Sequence, residues 1–266
     1  MAVRSMGAKK ASESSIVQSV DHAIDIIEFL YSTGHEVSIR EINAGIGMAG
    51  STIHRQLLTL KERGYIYQNP ENSKYWLGLR FYALGNIVQH NLPIVHVLSP
   101  YVDALANKYS LTAYIVLPDY SSDLCAQQAI VYRKSYSLVV LRNEAAVGTV
   151  MVAHGSASGK CMMSYYPESL IQQYSRYPLL KMTEKTITDW IALKAEFSSI
   201  RSRGYALDSD EEEDGRTCLA VPVLDSSQNI IASISVSGQT KSIFDNPVNQ
   251  IIKDLNDVAK VVNSKI

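Results

Sequence analysis

The stretch SIREINAGIGMAGSTIHRQLLTLKERG, residues 38–64, decides the fold of the N-terminal part of the chain. Ser38 stands three residues before Glu41, the spacing at which a hydroxyl and a carboxylate cap each other's backbone N–H groups at a helix start. Gly45 and Gly47 then predict the helix end and a tight turn. Beyond the turn, Ile53, Leu57 and Leu60 fall on one face of a second helix, Thr52, Arg55, Gln56 and Thr59 line another, and Gly64 stops it.

Reading outward toward the N-terminus, Val20, Ala23, Ile24, Ile27 and Leu30 recur at helical spacing and predict a first helix with these residues on its buried face. Toward the C-terminus, YIYQNPENSKYWLGL reads as two aromatic-rich strands around a turn at Asn69, Pro70, Glu71, Asn72 and Ser73. Three helices followed by a hairpin is the order of a winged helix. LRFYALGNIVQHN predicts another helix that Pro93 ends, so the connection between domains is expected there. The first residues, to Ser15, are small and polar and are expected to form a flexible tail.

A helix-turn-helix works because its first helix braces a second that enters the major groove. Ser51, Thr52, Arg55, Gln56 and Thr59 suit that role: Arg reads guanine through two hydrogen bonds, Gln reads adenine, and hydroxyls suit phosphates. Lys74 and Arg80 would add backbone contacts from the wing and beyond it. His54 lies beside the apolar face, so it fits either packing or a DNA contact. A polar helical face is also what water alone favours, so the pattern does not decide without its context.

Composition bounds the rest. A chain of 266 residues with 46% hydrophobic content can build two cores, and its net charge of −1 requires any nucleic-acid surface to be local. No apolar run long enough for a membrane span or a secretory leader is present, so the expectation is a cytoplasmic protein. Cys125, Cys161 and Cys218 fit neither a disulfide framework nor a zinc site, and no cofactor or metal is expected.

Past Leu98 the runs LTAYIVL, CAQQAIVY, YSLVVL, GTVMVA, TCLAVPVL and NIIASISVSG read as strands. DWIALKAEFSSIRSRG and NPVNQIIKDLNDVAKVVNSKI read as helices, the second capped by Asn246. This mixture predicts an α+β domain with a largely antiparallel sheet. VAHGSASGKCMM resembles neither a phosphate loop nor a nucleophile elbow in its spacing, since Ala157 stands where the elbow needs serine. Its small residues suit either a ligand at a helix start or close packing. The acidic run after Asp208 lacks the glycine and closing glutamate of a calcium loop and reads mostly as solvated. Ser233, Ser235 and Ser237 share one strand face, which is either wet or lines a polar pocket. Cys218 is a small residue at a strand start and not a nucleophile.

SVDHAIDIIEFL, REINAGIG, STIHRQLLTLKERGYI and YWLGLRFYALG together resemble the N-terminal domain of the IclR family of bacterial transcription regulators. The GYA-acidic stretch, the Cys before an apolar strand and the SVSG strand resemble its effector domain, so the likeness covers nearly the whole chain after the tail. It implies a winged helix-turn-helix, a linker helix and a GAF-like C-terminal domain, at residues 16–79, 80–95 and 96–266. It implies that Ser51, Thr52, His54 and Arg55 belong to the recognition helix, though Gly50 stands where many relatives are basic, and the DNA contacts expected in all are Arg40, Ser51, Thr52, His54, Arg55, Gln56, Thr59 and Lys74. Effector contacts are implied for Met151, Ala157, Ser158, Asp208, Cys218, Ser235 and Ser237. The partners expected are operator DNA, a small organic acid or oxygenated aromatic metabolite, and further copies of the chain as homodimer or homotetramer. The rival readings are a small-molecule enzyme using Asp208, Cys218 or His154, or a regulator whose second domain only assembles.

Overall fold

A computed structural model describes residues 17–119, 127–134 and 147–262 and divides after Asn91 into two compact units. The expected tail, Cys125 and the strand YSLVVL lie outside the described residues.

The first unit contains α1 (Gln18–Thr33), α2 (Ile39–Ile46), α3 (Gly50–Glu62), β1 (Ile66–Gln68), β2 (Tyr75–Leu77) and α4 (Arg80–His90). The capping box forms: Ser38 Oγ accepts from the Glu41 N–H at 3.3 Å, and the Glu41 carboxylate accepts from the Ser38 N–H at 2.7 Å. Gly47 takes φ +70° and returns its N–H to the Asn43 carbonyl, closing α2 in a conformation that disfavours a side chain. β1 and β2 pair antiparallel and Val37 bridges to Tyr75, giving the wing a third short edge. Ile26, Leu30, Ile42, Ile53, Leu57 and Ile66 form the core beneath them.

The buried face of α1 differs from the one its periodicity suggests. Ile26 and Leu30 are fully buried, whereas Val20 and Ile24 remain 56% and 46% exposed. Two apolar rows overlap on this helix, and contacts with α2 and α3 select the row through Ile26, Phe29 and Leu30. On α4 no residue is buried, and Tyr82, Ile87 and Val88 all face outward.

The second unit opens with α5 (Pro93–Tyr109), which the sequence reading did not anticipate. Pro93 does mark a break, but it occupies the first turn of the next helix, where its missing N–H is harmless. Then follow β3 (Thr112–Asp119), β4 (Gln127–Lys134), β5 (Val150–Val152), α6 (Ala157–Met163), α7 (Glu168–Tyr174) and α8 (Trp190–Arg203). β6 (Ala206–Ser209), β7 (Arg216–Leu224), β8 (Ile230–Gln239), α9 (Thr240–Phe244) and α10 (Val248–Val261) complete it. The strands form one sheet in the order β5-β4-β3-β8-β7-β6 with every neighbour antiparallel.

α5 and α10 cover one face of this sheet, packing on Ala113, Ile115, Leu219, Val221, Ile234 and Val236. α6, α7 and α8 lie on the other, against Tyr114, Val116, Ala206 and Ala220. The result is the expected α+β fold with an antiparallel sheet. Asn246 does not cap α10: its amide donates to the Ser242 and Tyr109 carbonyls, sealing the end of α9, and Pro247 takes the cap position.

Candidate functional site

α3 buries Ile53 and Leu57 and turns Ser51, His54, Arg55 and Thr59 to the exterior, with Thr52 and Gln56 half-buried at its margins. His54 is therefore a surface residue, not a packing one. Thr59 donates to the Arg55 carbonyl at 3.1 Å, so its hydroxyl is already partly used. Arg40 is exposed on α2. Lys74, just before β2, lies 3.9 Å from the Glu41 carboxylate, an exposed pair of little strength that a phosphate could replace.

In the second unit the serine-bearing face of β8 is buried. Ser233, Ser235 and Ser237 are at most 2% exposed, which removes the wet reading. Strand register brings the rest of the expected site to them. Asp208 on β6 pairs with Cys218 on β7, and Cys218 with Ser237 on β8, so three polar side chains stand side by side across three strands. One step along, Ala220 and Tyr114 flank Ser235. Ser158 on α6 closes over this row and donates to Ser235 Oγ at 3.0 Å. Met151 falls in β5, but its side chain lies outside the described set.

Of the two purposes that the small residues at the start of α6 suggested, close packing is visible at Gly159. Ser156 caps the helix by accepting from the Gly159 N–H at 3.1 Å, and a Cβ at Gly159 would lie 2.0 Å from the Ala153 carbonyl oxygen. Position 159 is therefore small for packing. The N–H groups of Ala157 and Ser158, in the first turn, have no acceptor within the helix.

Burial governs the chemistry here. The Asp208 carboxyl accepts the Glu211 N–H at 2.7 Å, yet desolvation pushes its pKa up to about 7. The Cys218 thiol is likewise pushed up to about 12 by burial and by the nearby Asp208, which leaves no thiolate to act as a nucleophile. His154 offers no base: Nε2 faces the Leu180 carbonyl at 2.9 Å, so it carries the proton, and Nδ1 accepts from the Tyr174 hydroxyl. Among the described residues no group of three His, Cys, Asp or Glu gathers to hold a metal.

Three groups escaped the sequence reading. Lys160, 1% exposed on α6, donates to the Leu207 carbonyl at 2.8 Å and to the Glu211 carboxylate, tying the helix to the acidic loop. Glu211 is thus an interior residue and not part of a solvated run. Arg216 opens β7 two residues before Cys218, so it projects from the same sheet face. Its Nε donates to Ser237 Oγ at 2.8 Å and its Nη2 to the Tyr114 hydroxyl at 3.2 Å. The two-residue spacing to Cys218 was the available signal.

These features define a winged helix-turn-helix protein with a second domain holding a buried polar cluster. The bacterial transcriptional regulator IclR C-terminal domain matches residues 87–264, and the IclR helix-turn-helix domain matches residues 19–70. The chain belongs to the IclR family and is a DNA-binding transcription regulator, not an enzyme. It is 29% identical over 231 residues to the HTH-type transcriptional regulator XynR of Escherichia coli, covering 86% of this chain and 89% of that one. The IclR regulator of Alicyclobacillus acidocaldarius shares the fold with a TM-score of 0.81 at 23% identity, over 94% of this chain and 98% of its own. So does an IclR homolog from Microbacterium hydrocarbonoxydans crystallised with 4-hydroxybenzoate, with a TM-score of 0.80 at 19% identity, over 92% and 98%.

Proposed function

We propose that this regulator's grip on its operator is controlled by a small organic acid or oxygenated aromatic metabolite bound in the second unit. The observation that carries the reading is the convergence of Ser158, Asp208, Cys218, Ser235 and Ser237 on one buried sheet face. A polar cluster in an otherwise apolar interior is the usual composition of a ligand site. The homolog crystallised with 4-hydroxybenzoate supports an aromatic acid as one member of the effector class.

In this reading Arg40, Ser51, Thr52, His54, Arg55, Gln56, Thr59 and Lys74 meet DNA, Ala157 and Ser158 present backbone N–H groups to the effector, and Met151 adds an apolar wall. Residues 16–79 form the DNA-binding domain, 80–95 link it, and 96–266 sense the effector. The outward apolar residues of α1 and α4 support assembly into a homodimer or homotetramer that pairs two recognition helices on operator half-sites. The cytoplasm is the compartment such a regulator works in, and among the described residues no helix is long and apolar enough to cross a membrane.

The test is a mobility-shift assay on the DNA flanking the protein's own gene, with and without metabolites handled by neighbouring genes. A shift that an added metabolite alters in the parent, and does not alter in Ser235→Ala with Ser237→Ala, supports the reading. A double mutant that responds with parental affinity removes the serine face from the site. A shift that no metabolite alters leaves the second unit an assembly domain.

A further inference from the structure

We propose that Ser233 extends the effector site by one step along β8, so that the effector carries a hydroxyl or carbonyl at the end remote from Ser237 and this serine recognises it. The inference rests on the reading of the serine face as the effector site and adds to it a third serine and a second polar group on the ligand.

Of the three serines on this face of β8, two have side-chain partners. Ser235 Oγ accepts from Ser158, and Ser237 Oγ accepts from Arg216 Nε. Ser233 is 0% exposed, and its Oγ has no hydrogen-bond partner among the described residues. Register explains why: its neighbours across the sheet are Val116 on β3 and Pro222 on β7, and neither side chain can donate or accept. Val116 belongs to an apolar cluster with Ile230, Met162 and Met163, so hydrocarbon prevails at this end of the serine row.

A hydroxyl taken out of water without a partner opposes folding, and alanine at the same position would fold without that cost. Packing of the protein on itself therefore gives no reason for a serine here. A ligand that brings the missing partner does. A serine hydroxyl donates to a carbonyl or accepts from a hydroxyl, so it suits either group and discriminates against a molecule that lacks both. Ser235 and Ser233 stand two residues apart on one strand face, about 6.8 Å. That is the scale of a benzene ring with polar groups at opposite ends, or of a short keto acid. Met162 and Met163 are the adaptable part of the apolar surroundings, because unbranched thioether side chains repack around groups of different shape.

The experiment measures binding to the full-length protein, by calorimetry, of paired probes that differ in one polar group: 4-hydroxybenzoate against benzoate, and levulinate against pentanoate. In the parent, the oxygenated member of at least one pair is expected to bind about fivefold or more tightly. In Ser233→Ala that preference should vanish, with binding of the plain acid unchanged, and Ser233→Cys, which keeps the volume with a weak donor, should lose most of it. Thermal unfolding separates this role from a structural one. Ser235→Ala breaks the bond to Ser158 and should melt lower than the parent, whereas ligand-free Ser233→Ala should melt no lower. If neither variant at position 233 folds, the preference of the parent decides. Equal binding within both pairs, or a preference unchanged in folded Ser233→Ala, overturns the proposal while leaving the site around Ser235 and Ser237 standing. A loss of melting temperature in Ser233→Ala as large as in Ser235→Ala also overturns it, because the hydroxyl is then satisfied within the fold. Probe binding that survives Ser235→Ala with Ser237→Ala overturns the site itself, and binding of none of the four probes overturns the assignment of Ser233.

Discussion

Ser158 on α6 and Ser235 on β8 share a 3.0 Å hydrogen bond between two hydroxyls, both at most 4% exposed, that fastens a helix of one layer to the central strand of the next. Removing one partner strands the other in the interior, at a cost of about 1–3 kcal/mol. Removing both should cost less than the sum of the two. Denaturant unfolding of Ser158→Ala, Ser235→Ala and the double variant should therefore give a coupling energy of about 1 kcal/mol, and strict additivity would show that the bond contributes nothing.

Asp208 makes stability depend on pH. Its pKa is raised from 3.8 to about 7 in the folded protein, so the folded state holds a proton that the unfolded chain releases. The stabilisation is fully present below about pH 4 and is lost as the pH rises through about 7. Asp208→Asn, which retains an acceptor for the Glu211 N–H, should flatten this part of the stability profile measured by thermal melts between pH 4 and 8. An unchanged profile would assign the slope to other groups.

Lys160 and Glu211 form a buried pair whose members depend on each other. Lys160→Met alone leaves a buried carboxylate without its cation and should destabilise the protein by roughly 3–5 kcal/mol. Adding Glu211→Leu removes the orphaned charge and should recover most of that loss. Chemical denaturation of the single and double variants checks this, and a double variant no better than the single would refute it.

On the DNA side, Arg55 is exposed on α3 and outside the core, so Arg55→Ala should leave the melting temperature unchanged. Operator affinity should fall by roughly 1–3 kcal/mol, and the affinity of the parent should fall steeply with added salt. Fluorescence anisotropy over a salt series measures both. Equal operator affinity in the folded variant would take Arg55 out of the interface.

Assembly is expected to depend on the outward residues of α4. Ile87 is 60% exposed, and Ile87→Glu places a charge there without touching either core. Sedimentation should show the variant shifted toward monomer at concentrations where the parent is assembled. An unchanged oligomer would locate the interface elsewhere.

The N-terminal unit was legible because its signals are local. Ser38 with Glu41, the glycines at 45, 47 and 64, and the apolar rows of α3 each act within a few residues of themselves. The first helix shows the limit: Val20 and Ile24 fit a helical row as well as Ile26 and Leu30 do, and only the packing of α2 and α3 chooses between them. In the second unit the strands could be read singly. Their register could not, and it is register that sets Asp208, Cys218 and Ser237 abreast from positions up to 29 residues apart. α5 was missed because Pro93 read as a stop, while its buried row from Ile94 to Tyr109 needs the sheet to explain it. Glu211 looked like a solvated acid because a run of carboxylates carries no sign of which members fold inward.

The alternation along β8 has a consequence for how such a protein changes over generations. Ala232, Ile234 and Val236 belong to the core under α5 and α10, while Ser233, Ser235 and Ser237 belong to the opposite face. If the serine face is the effector site proposed above, substitutions at the second set would alter which molecule the domain answers to without disturbing the hydrophobic packing that keeps it folded. Selection can thus vary recognition and preserve architecture within the same ten-residue strand, because every other position answers to a different demand.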